Sequence, residues 1–301
     1  MWQNSLYRFL VNNGIAFTEN SDMSKITSMR CGGTTRFLVM PTVDNVASLM
    51  CFLRTECIKY KIAGGMTNTL PCDGVFDGAL LLTSGINHIS IAENNRVLVG
   101  AGRSLASFVA TAVENNIGGF EEISGIPGTV GGAVYGNSGA HSVSISDFII
   151  SVRAYDTFTN KTVSFAKNDL DYGYRASRFK QEPTRYVILE ATMQGLFRTK
   201  DEIGKRVREF SKIRRERQPL NMPSLGSIFK HPEGDFAPRL IESLSLKGLR
   251  FGGASVSEKH AGFIVNDLSA TSNDVRALIC EIKKRVEAEY GIILEEEIDI
   301  M

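Results

Sequence analysis

Apolar residues recur three and four positions apart in several stretches of the chain, the spacing of helices that bury one face. The predicted helices are a short amphipathic one in MWQNSLYRFLVNNG (1–14), one over 43–60, one from Ser104 to Gly118-Gly119, one over 200–217 and one that carries Val275 to Val286. Asp44 and Ser104 are residue types that cap helix N-termini, whereas Pro219 and Gly291 are typical helix stops.

Short runs of apolar, mainly branched and aromatic residues separate these helices and have the composition of strands. The predicted strands are 36–40, 79–83, 96–99, 147–155, 185–193, 261–266 and, at the end of the chain, 292–300. Since strands and helices are mixed without regular βαβ alternation, we predict an α+β fold. A length of 301 residues favours about two domains. We expect the main boundary near residue 198 and a finer one near residue 85.

Composition excludes several classes of protein. A chain with 43% hydrophobic and 22% charged residues is not disordered as a whole, and its net charge of +1 gives no global attraction to nucleic acid or to a membrane surface. No apolar run has the length of a spanning helix or resembles a signal-peptide core. The five cysteines form no C-x-x-C pair and the four histidines are scattered, so we expect a reducing cytosol, no disulfide framework and no metal site.

Glycine is concentrated in one part of the chain, since eight of the 28 glycines lie between Gly118 and Gly139. The sequence contains neither G-x-G-x-x-G nor G-x-x-x-x-G-K-[ST], the usual nucleotide signatures. Two other glycine-bearing loops are AGGMTN at 63–68 and SGIPGTVGG at 124–132. Exposed amides in such loops bind anions, and two loops together suit a diphosphate held from both sides. Two ordinary tight turns are the alternative interpretation.

Three further clusters are candidates for chemistry, although each also has a purely structural explanation. Arg175 lies among aromatic residues in YGYRAS, and a lone arginine is usually a solvated charge. Ser227 lies in the glycine-flanked turn SLGSIFK, where a serine usually bonds to its own backbone. Glu297 ends the acidic run 295–297, in which strand alternation would point Glu295 and Glu297 to one face.

Together these segments resemble the UDP-N-acetylenolpyruvoylglucosamine reductases, from about residue 20 to the end and in the family's order. The carrying segments are MSKITSMRCGGTTRFLVMP (23–41), IAGGMTNTLPCDGVFDGALLLT (62–83), the stretch 99–140 with IPGTVGGAV, YGYRASRF (172–179), RQPLNMPSLGSIFKHPEG (217–234), LKGLRFGGASVSEKHAGFIVN (246–266) and LEEEID (294–299). The spacing of Arg175 and Ser227 suits the shorter form of the family, which lacks an inserted segment and its substrate-clamping tyrosine.

The resemblance implies a fold of two FAD-binding subdomains of the vanillyl-alcohol-oxidase (PCMH) type and a C-terminal α+β substrate-binding domain. We assign these to residues 1–85, 86–197 and 198–301, with the final strand packing back toward the FAD domain. FAD would be bound non-covalently. By match to the family motifs, its binding residues would be Gly64, Gly65, Thr67, Asn68, Ser124, Gly125, Ile126, Pro127, Gly128 and Thr129.

The resemblance also implies a reaction. NADPH reduces FAD, and the reduced flavin converts the enolpyruvyl ether of UDP-N-acetylglucosamine to the D-lactyl ether, a step of peptidoglycan precursor synthesis in the bacterial cytoplasm. Arg175 would stabilise the developing negative charge, Ser227 would donate the proton, and Glu297 would complete the catalytic group. The substrate would be held by residues at four further positions, namely Tyr174, Arg217, His231 and Lys247. We expect a monomer.

The chain departs from the family pattern at several of these positions. Met66 replaces a glycine of the first loop, His231 replaces the asparagine of FKNP, and His141 replaces the tyrosine of NAGAYG. Arg217 stands for a lysine, and the tail EEEID stands for EPEVR. Two alternative functions stay open. One is an FAD-dependent oxidase of the same fold, and the other, motivated by Met66, is a non-catalytic sugar-nucleotide-binding protein without FAD.

Overall fold

The computed structural model describes residues 2–301. Its α-helices are α1 (Trp2–Asn12), α2 (Val46–Thr55), α3 (Leu105–Glu114), α4 (Val130–Gly136), α5 (Arg178–Gln181), α6 (Lys200–Arg217), α7 (Ala237–Ser243) and α8 (Ser272–Tyr290). Short 3₁₀ helices lie at Met23–Lys25, Thr83–Gly85, Glu121–Ile123, Ile145–Asp147 and Lys167–Leu170. None of the helices in this described part is long and apolar enough to cross a membrane.

Strands and helices are mixed along the chain, which confirms the predicted α+β class. The strands are β1 (Ala16–Asp22), β2 (Thr34–Met40), β3 (Tyr60–Ala63), β4 (Thr69–Leu70), β5 (Val75–Leu82), β6 (Ile89–Ala92), β7 (Arg96–Gly100), β8 (Ile117–Gly118), β9 (Gly139–Ala140), β10 (Val143–Ser144), β11 (Ile149–Asp156), β12 (Lys161–Ala166), β13 (Tyr186–Gln194), β14 (Leu196–Phe197), β15 (Ser224–Ser227), β16 (Arg250–Phe251), β17 (Ala254–Val256), β18 (Phe263–Asn266) and β19 (Asp299–Ile300).

The chain divides into two compact units that do not follow its linear order. Unit 1 holds the chain up to Asn20 together with Arg36–Gly65 and Asp77–Lys212. Unit 2 holds Ser21–Thr35, Met66–Phe76 and Ile213–Met301. Two short segments from the first third of the sequence therefore belong to the same unit as its C-terminal part. The predicted domain boundaries near residues 85 and 198 stay predictions.

Unit 1 is built on a five-stranded antiparallel sheet of order β12-β11-β13-β7-β6 and on a four-stranded sheet of order β1-β2-β5-β3. Strand β13 lies between the two hydrophobic cores of unit 1 and contributes residues to both. Ile188 and Ala191 belong to the core formed with α3 and α4, whereas Val187 and Leu189 belong to the core formed with α1 and α2. A strand that is covered on both faces needs a nearly continuous apolar sequence, and YVILEATM has one.

The start of α2 differs from the sequence prediction. We expected a helix over 43–60 capped by Asp44, but α2 covers Val46–Thr55 and Asn45 is its N-cap residue. The Asn45 Oδ1 atom accepts a hydrogen bond from the Thr42 amide at 2.8 Å, so this side chain closes a turn before the helix. The cap assignment was wrong because that turn competes for the same residues.

Helix α3 begins as predicted but ends earlier. The Ser104 hydroxyl accepts a hydrogen bond from the Ser107 amide at 3.1 Å, which confirms the predicted N-cap. The helix stops at Glu114 and not at Gly118-Gly119, because Asn116 adopts a left-handed conformation with φ of 56°. Asparagine tolerates this conformation better than most residues and ends helices in the same way as glycine.

Unit 2 contains the antiparallel sheet β15-β18-β17-β16, and α7 and α8 contribute to its core. Helix α8 confirms the predicted helix near the C-terminus and its stop at Gly291, which has φ of 67°. Its start carries a reciprocal capping box between Thr271 and Asp274. In addition, the Asp73 carboxylate accepts hydrogen bonds from the Ser272 and Asn273 amides at 2.7 and 2.8 Å, which ties the segment 66–76 to the helix.

The predicted strand over 292–300 is wrong in its extent. Only Asp299–Ile300 forms a strand, which pairs in parallel with β4, and a single bridge joins Glu296 to Phe229. Leu294 and Ile298 are buried in the core of unit 2. Leu294 and Ile298 lie four positions apart, and this separation places two residues on the same face of a continuous strand. The apolar pattern is therefore the same with or without a break, and it did not show where strand pairing is interrupted.

Candidate functional site

The first glycine-bearing loop follows β3, which pairs in parallel with β5. In this loop Met66 takes a left-handed backbone conformation with φ of 51°, although it replaces a glycine of the family pattern. Its side chain is buried, and its carbonyl accepts a hydrogen bond from the Thr27 hydroxyl at 3.1 Å. The loop therefore reaches the glycine-like conformation, and burial of the methionine side chain offsets the cost of that backbone geometry.

The second loop, 124–132, is fastened to the start of α3. The Val130 amide donates to the Arg103 carbonyl at 2.9 Å, and the Gly131 amide donates to the Ala101 carbonyl at 2.7 Å. Thr129 caps α4 by accepting a hydrogen bond from the Gly132 amide at 3.2 Å. Elsewhere in this loop, the amides of Gly125, Gly128 and Thr129 donate to no acceptor within residues 2–301.

Gly64 of the first loop and Thr129 of the second loop are in direct contact within unit 1. A Cβ atom placed on Gly64 would lie 2.3 Å from the Thr129 Oγ1 atom, which is shorter than any real contact. Only glycine at position 64 allows this approach, so the two predicted loops meet because of that residue. Two adjacent loops, of which the second carries these available amides, form an arrangement that can bind phosphate oxygens.

Glu121 is a buried carboxylate beside the second loop that sequence analysis did not identify. Its side chain is fully buried, and its Oε1 atom lies 2.7 Å from the Arg198 Nη1 atom. The Oε2 atom accepts a hydrogen bond from the Gly119 amide at 2.8 Å, and the Glu121 carbonyl accepts one from the Ser124 hydroxyl at 2.7 Å. Glu121 therefore holds the beginning of the loop in place. A glutamate after Gly118-Gly119 gives no local signal of burial.

Arg175 lies in unit 1, in the segment between the 3₁₀ helix Lys167–Leu170 and α5. Its backbone is left-handed, with φ of 52°. Its guanidinium lies 5.4 Å from the ring centroid of the exposed Tyr174 and donates hydrogen bonds of 3.4 Å to the carbonyls of Asn137 and Gly139. The arginine is thus held against two main-chain carbonyls and does not project freely into solvent.

Ser227 and Glu297 are neighbours within unit 2. Ser227 ends β15 opposite Phe263, and its hydroxyl donates to the Phe229 carbonyl at 3.2 Å. The Glu297 amide donates to the Ile228 carbonyl at 2.8 Å, which places the two predicted catalytic residues on adjacent backbone segments. The Asn68 side chain donates to the Glu297 carbonyl at 3.2 Å, so the first loop also contacts this pair.

The structure therefore unites part of the predicted catalytic set. Ser227, Glu297, Thr67 and Asn68 belong to unit 2, whereas Arg175 belongs to unit 1 with Gly64, Gly65 and the whole loop 124–129. The convergence of Ser227, Glu297 and Arg175 on one substrate stays a prediction.

The acidic run at the C-terminus is paired with lysines and is not merely solvated. Glu295 lies 2.9 Å from the Lys230 Nζ atom, and Glu296 lies 2.8 Å from the Lys283 Nζ atom. The hydrogen bond from Lys230 lowers the pKa of the Glu295 carboxyl. These two pairs hold the residues that directly precede Glu297.

The predicted substrate-binding residues of unit 2 lie on loops and helix ends. His231 is exposed and its ring lies 5.2 Å from that of Phe236, Lys247 forms an ion pair with Glu242, and Arg217 is exposed at the end of α6. His260 was not identified from the sequence. Its Nδ1 atom accepts a hydrogen bond from the Gly262 amide at 3.1 Å.

The environment of His260 favours its neutral form. Burial lowers the pKa of His260, and the positive charges of Lys247 and His231 lower it further, whereas Glu242 opposes the shift. In residues 2–301, the histidine, cysteine and acidic side chains form no group of three or more that could hold a metal ion.

Comparison with known families defines the class of the protein first. A family described as "FAD binding domain" matches residues 35–162, which include both glycine-bearing loops. A second family, described as "UDP-N-acetylenolpyruvoylglucosamine reductase, C-terminal domain", matches residues 218–301, which include Ser227 and Glu297. The chain is therefore an FAD-containing oxidoreductase, and the predicted combination of an FAD-binding part with a C-terminal α+β domain is confirmed.

Full-length relatives then identify the family. The UDP-N-acetylenolpyruvoylglucosamine reductase of Caldicellulosiruptor bescii is 38% identical over 296 residues, which cover 97% of this chain and 93% of that protein. The reductase of Thermotoga maritima is 40% identical over 276 residues, covering 91% and 95%. The crystal structure of the Thermus caldophilus reductase superposes with a TM-score of 0.78 at 28% identity and covers 95% of this chain and 98% of that one. This chain belongs to the UDP-N-acetylenolpyruvoylglucosamine reductase family, as its motifs predicted.

Proposed function

We propose that the protein reduces the enolpyruvyl ether of UDP-N-acetylglucosamine to the D-lactyl ether, with NADPH as reductant, and so gives UDP-N-acetylmuramate. Family membership favours this reaction over the oxidation of a simple alcohol by an oxidase of the same fold. The observation that carries the residue assignment is that Glu297 is hydrogen-bonded to Ile228, the residue after Ser227, and to the Asn68 side chain. The left-handed conformation of Met66 removes the main reason for a non-catalytic binder that lacks FAD.

The two glycine-bearing loops fit an FAD diphosphate. Gly64 leaves no side chain between the loops, and the amides of Gly125, Gly128 and Thr129 are available as donors. We assign FAD binding to Gly64, Gly65, Thr67, Asn68, Ser124, Gly125, Ile126, Pro127, Gly128 and Thr129. When bound there, FAD would supply the hydride for the vinyl CH2 carbon of the substrate, with NADPH as the source of that hydride.

Arg175 is suited to stabilise the negative charge that develops on the substrate in this reaction. Addition of hydride to the CH2 carbon leaves negative charge on the alpha carbon, shared with the carboxylate as an enolate. A guanidinium stays protonated at any working pH and presents a fixed fork of donors to such a group. Because Arg175 is already hydrogen-bonded to main-chain carbonyls, less conformational freedom is lost when the charge develops.

Ser227 and Glu297 are assigned to the protonation step that completes the reaction. The alpha carbon must be protonated from one face to give the D-lactyl product, and we assign the Ser227 hydroxyl as donor. In the structure that hydroxyl donates to the Phe229 carbonyl, so it must turn toward the substrate before it transfers its proton. Glu297 would accept a hydrogen bond from the substrate enol or orient its carboxylate.

The remaining assignments concern the substrate and the setting of the enzyme. Arg217, His231 and Lys247 would bind the diphosphate or sugar through charge and hydrogen bonds, and the exposed Tyr174 would contact the substrate beside Arg175. The domains would be 1–85, 86–197 and 198–301, in a monomeric enzyme. Since NADPH and nucleotide-linked sugars are cytosolic metabolites, we place the reaction in the bacterial cytoplasm.

The Ser227→Ala variant tests the proposed chemistry. Loss of a proton donor should slow oxidation of the reduced enzyme by the enolpyruvyl substrate by about 10²- to 10⁴-fold. Reduction by NADPH should remain close to normal, and both steps can be followed anaerobically by flavin absorbance. Ser224→Ala, at the other end of β15, is the matched control and should leave both steps intact. Unchanged turnover in Ser227→Ala would refute the role of Ser227.

A further inference from the structure

Asn137 is a buried side chain that no assignment so far uses. It is the residue that ends α4, and it takes a left-handed conformation with φ of 45° and ψ of 56°. Only 5% of it is exposed. Asparagine is one of the few residues other than glycine that tolerate this backbone geometry, so the C-cap alone could account for the backbone but not for the side-chain contacts.

Both ends of the Asn137 amide are used, and they contact two different segments. The Nδ2 atom donates to the Gly173 carbonyl at 2.8 Å, two residues before Arg175. The Oδ1 atom accepts a hydrogen bond from the Ser146 amide at 3.2 Å. The main-chain carbonyl of Asn137 accepts a hydrogen bond from the Arg175 Nη1 atom at 3.4 Å. One residue therefore contacts the backbone that carries Arg175 and the guanidinium itself.

A neighbouring hairpin supplies the second carbonyl for the guanidinium. Strands β9 and β10 are joined by His141 and Ser142, which both have left-handed φ values, of 54° and 64°. The Gly139 carbonyl accepts from the Arg175 Nη2 atom at 3.4 Å. A Cβ on Gly139 would lie 2.5 Å from the Val143 carbonyl oxygen, so this close hairpin requires a glycine there.

The segment that carries Arg175 has little regular structure of its own. It is attached to the end of α4 at two points, by the Asn137 amide to Gly173 and by the Ser177 hydroxyl, which donates to the Tyr135 carbonyl at 2.6 Å. Arg175 lies between these two attachments. A long arginine side chain on an unsupported segment would populate many conformers, and a displacement of about 1 Å at a reacting group can cost about 10²-fold in rate.

We propose that Asn137 is the positioning residue of Arg175. Its amide fixes the segment 172–177, and its carbonyl together with that of Gly139 orients the guanidinium toward the developing enolate charge. Asn137 itself touches neither cofactor nor substrate in this proposal. The inference rests on the proposed function, since it assigns Asn137 a part in the same step as Arg175.

The Asn137→Gly variant separates the side chain from the backbone, because glycine keeps the left-handed C-cap and the main-chain carbonyl but removes the amide. We expect the rate of substrate reduction to fall about 10- to 100-fold, with reduction by NADPH nearly unchanged. Two controls isolate the effect. Asn116→Gly removes another left-handed asparagine, and Asn266→Ala removes another buried amide, which donates to the Met29 carbonyl. Both controls should lower the melting temperature but preserve the rate.

A double-mutant cycle with Arg175→Lys distinguishes positioning from general damage. If Asn137 acts through Arg175, adding Asn137→Gly to Arg175→Lys should slow the reaction by less than threefold. An equal loss in both backgrounds, an unchanged rate in Asn137→Gly, or an equal loss in Asn266→Ala would overturn the proposal.

Hydrogen exchange gives a readout that does not depend on activity. The amides of Gly173 and Ala176 are bonded to each other's carbonyls at 3.2 Å, and they should exchange at least tenfold faster in Asn137→Gly than in the wild type or Asn116→Gly. Unchanged exchange of these amides would refute the positioning role. A normal rate in Arg175→Lys and in Arg175→Ala would instead refute the proposed function of Arg175, while faster exchange in Asn137→Gly would still show that Asn137 orders the segment.

Discussion

Replacing Gly64 by alanine should weaken FAD binding by a predictable amount. The new Cβ would lie 2.3 Å from the Thr129 Oγ1 atom, so the two loops must separate by roughly 1 Å to reach an ordinary contact of 3.4 Å. Overpacking of this kind typically costs about 1–3 kcal/mol. If the strain falls on the FAD-bound form, in which both loops contact the diphosphate, the dissociation constant should rise roughly 5- to 150-fold.

Titration of the apoprotein with FAD, followed by flavin fluorescence, measures this change. Gly74→Ala is the matched control, because a Cβ there meets no atom within 4 Å and the backbone is not left-handed, and its affinity should stay normal. Thr129→Ala removes the clashing hydroxyl, so adding Gly64→Ala to it should cost little beyond the loss from Thr129→Ala itself. Normal FAD affinity in Gly64→Ala, or full additivity of the two substitutions, would refute the contact between the loops as the reason for the glycine.

Two further predictions concern stability and are measured by urea unfolding of the FAD-loaded enzyme. Glu121→Ala should lower the free energy of unfolding by about 3 kcal/mol or more, because it leaves Arg198 without its buried partner, whereas Glu122→Ala, on a less buried ion pair, should cost under about 1 kcal/mol. Equal losses would contradict the buried role of Glu121. His260, whose pKa is lowered mainly by burial, binds its proton more weakly in the folded than in the unfolded state. The contribution of neutral His260 to the free energy of unfolding is therefore complete above about pH 6.5, the usual histidine pKa, and it is lost as the pH falls further. His260→Asn keeps an acceptor for the Gly262 amide but cannot titrate, so the variant should lose less stability than the wild type between pH 7.5 and 5.5; an equal loss would contradict the shift.

Much of the fold follows from local sequence. Helices α6 and α8 were predicted within a few residues, because each carries apolar residues at helical spacing and ends close to a proline or glycine signal. Strand β13 was predicted because a strand covered on both faces has a nearly continuous apolar sequence. The errors occurred at Asn45, whose side chain closes a turn before α2, at Asn116, whose left-handed backbone ends α3 early, and in the segment 292–300, where strand pairing is interrupted.

The candidate site was only partly accessible from the sequence. Arg175, Ser227, Glu297 and both loops were found through motifs, since each motif is a contiguous string. Asn137 and Glu121 were missed, because their partners Gly173 and Arg198 lie far along the chain. His260 was missed, because the burial that lowers its pKa is set by the tertiary structure. An asparagine two positions before Gly139, directly after the glycine-rich segment 131–136, is the local signal that could have drawn attention to Asn137.

The sequence by itself determined the α+β class and the family and predicted which side chains react, because secondary-structure periodicity and family motifs are local properties of the chain. Only the tertiary structure decided that Gly64 meets Thr129, that Ser227 lies beside Glu297, and that the segments 21–35 and 66–76 belong to the unit of the C-terminal part. These are contacts between residues that lie far apart along the chain. They depend on which backbone groups pair and which side chains are absent at the point of approach, and no single stretch of sequence contains that information.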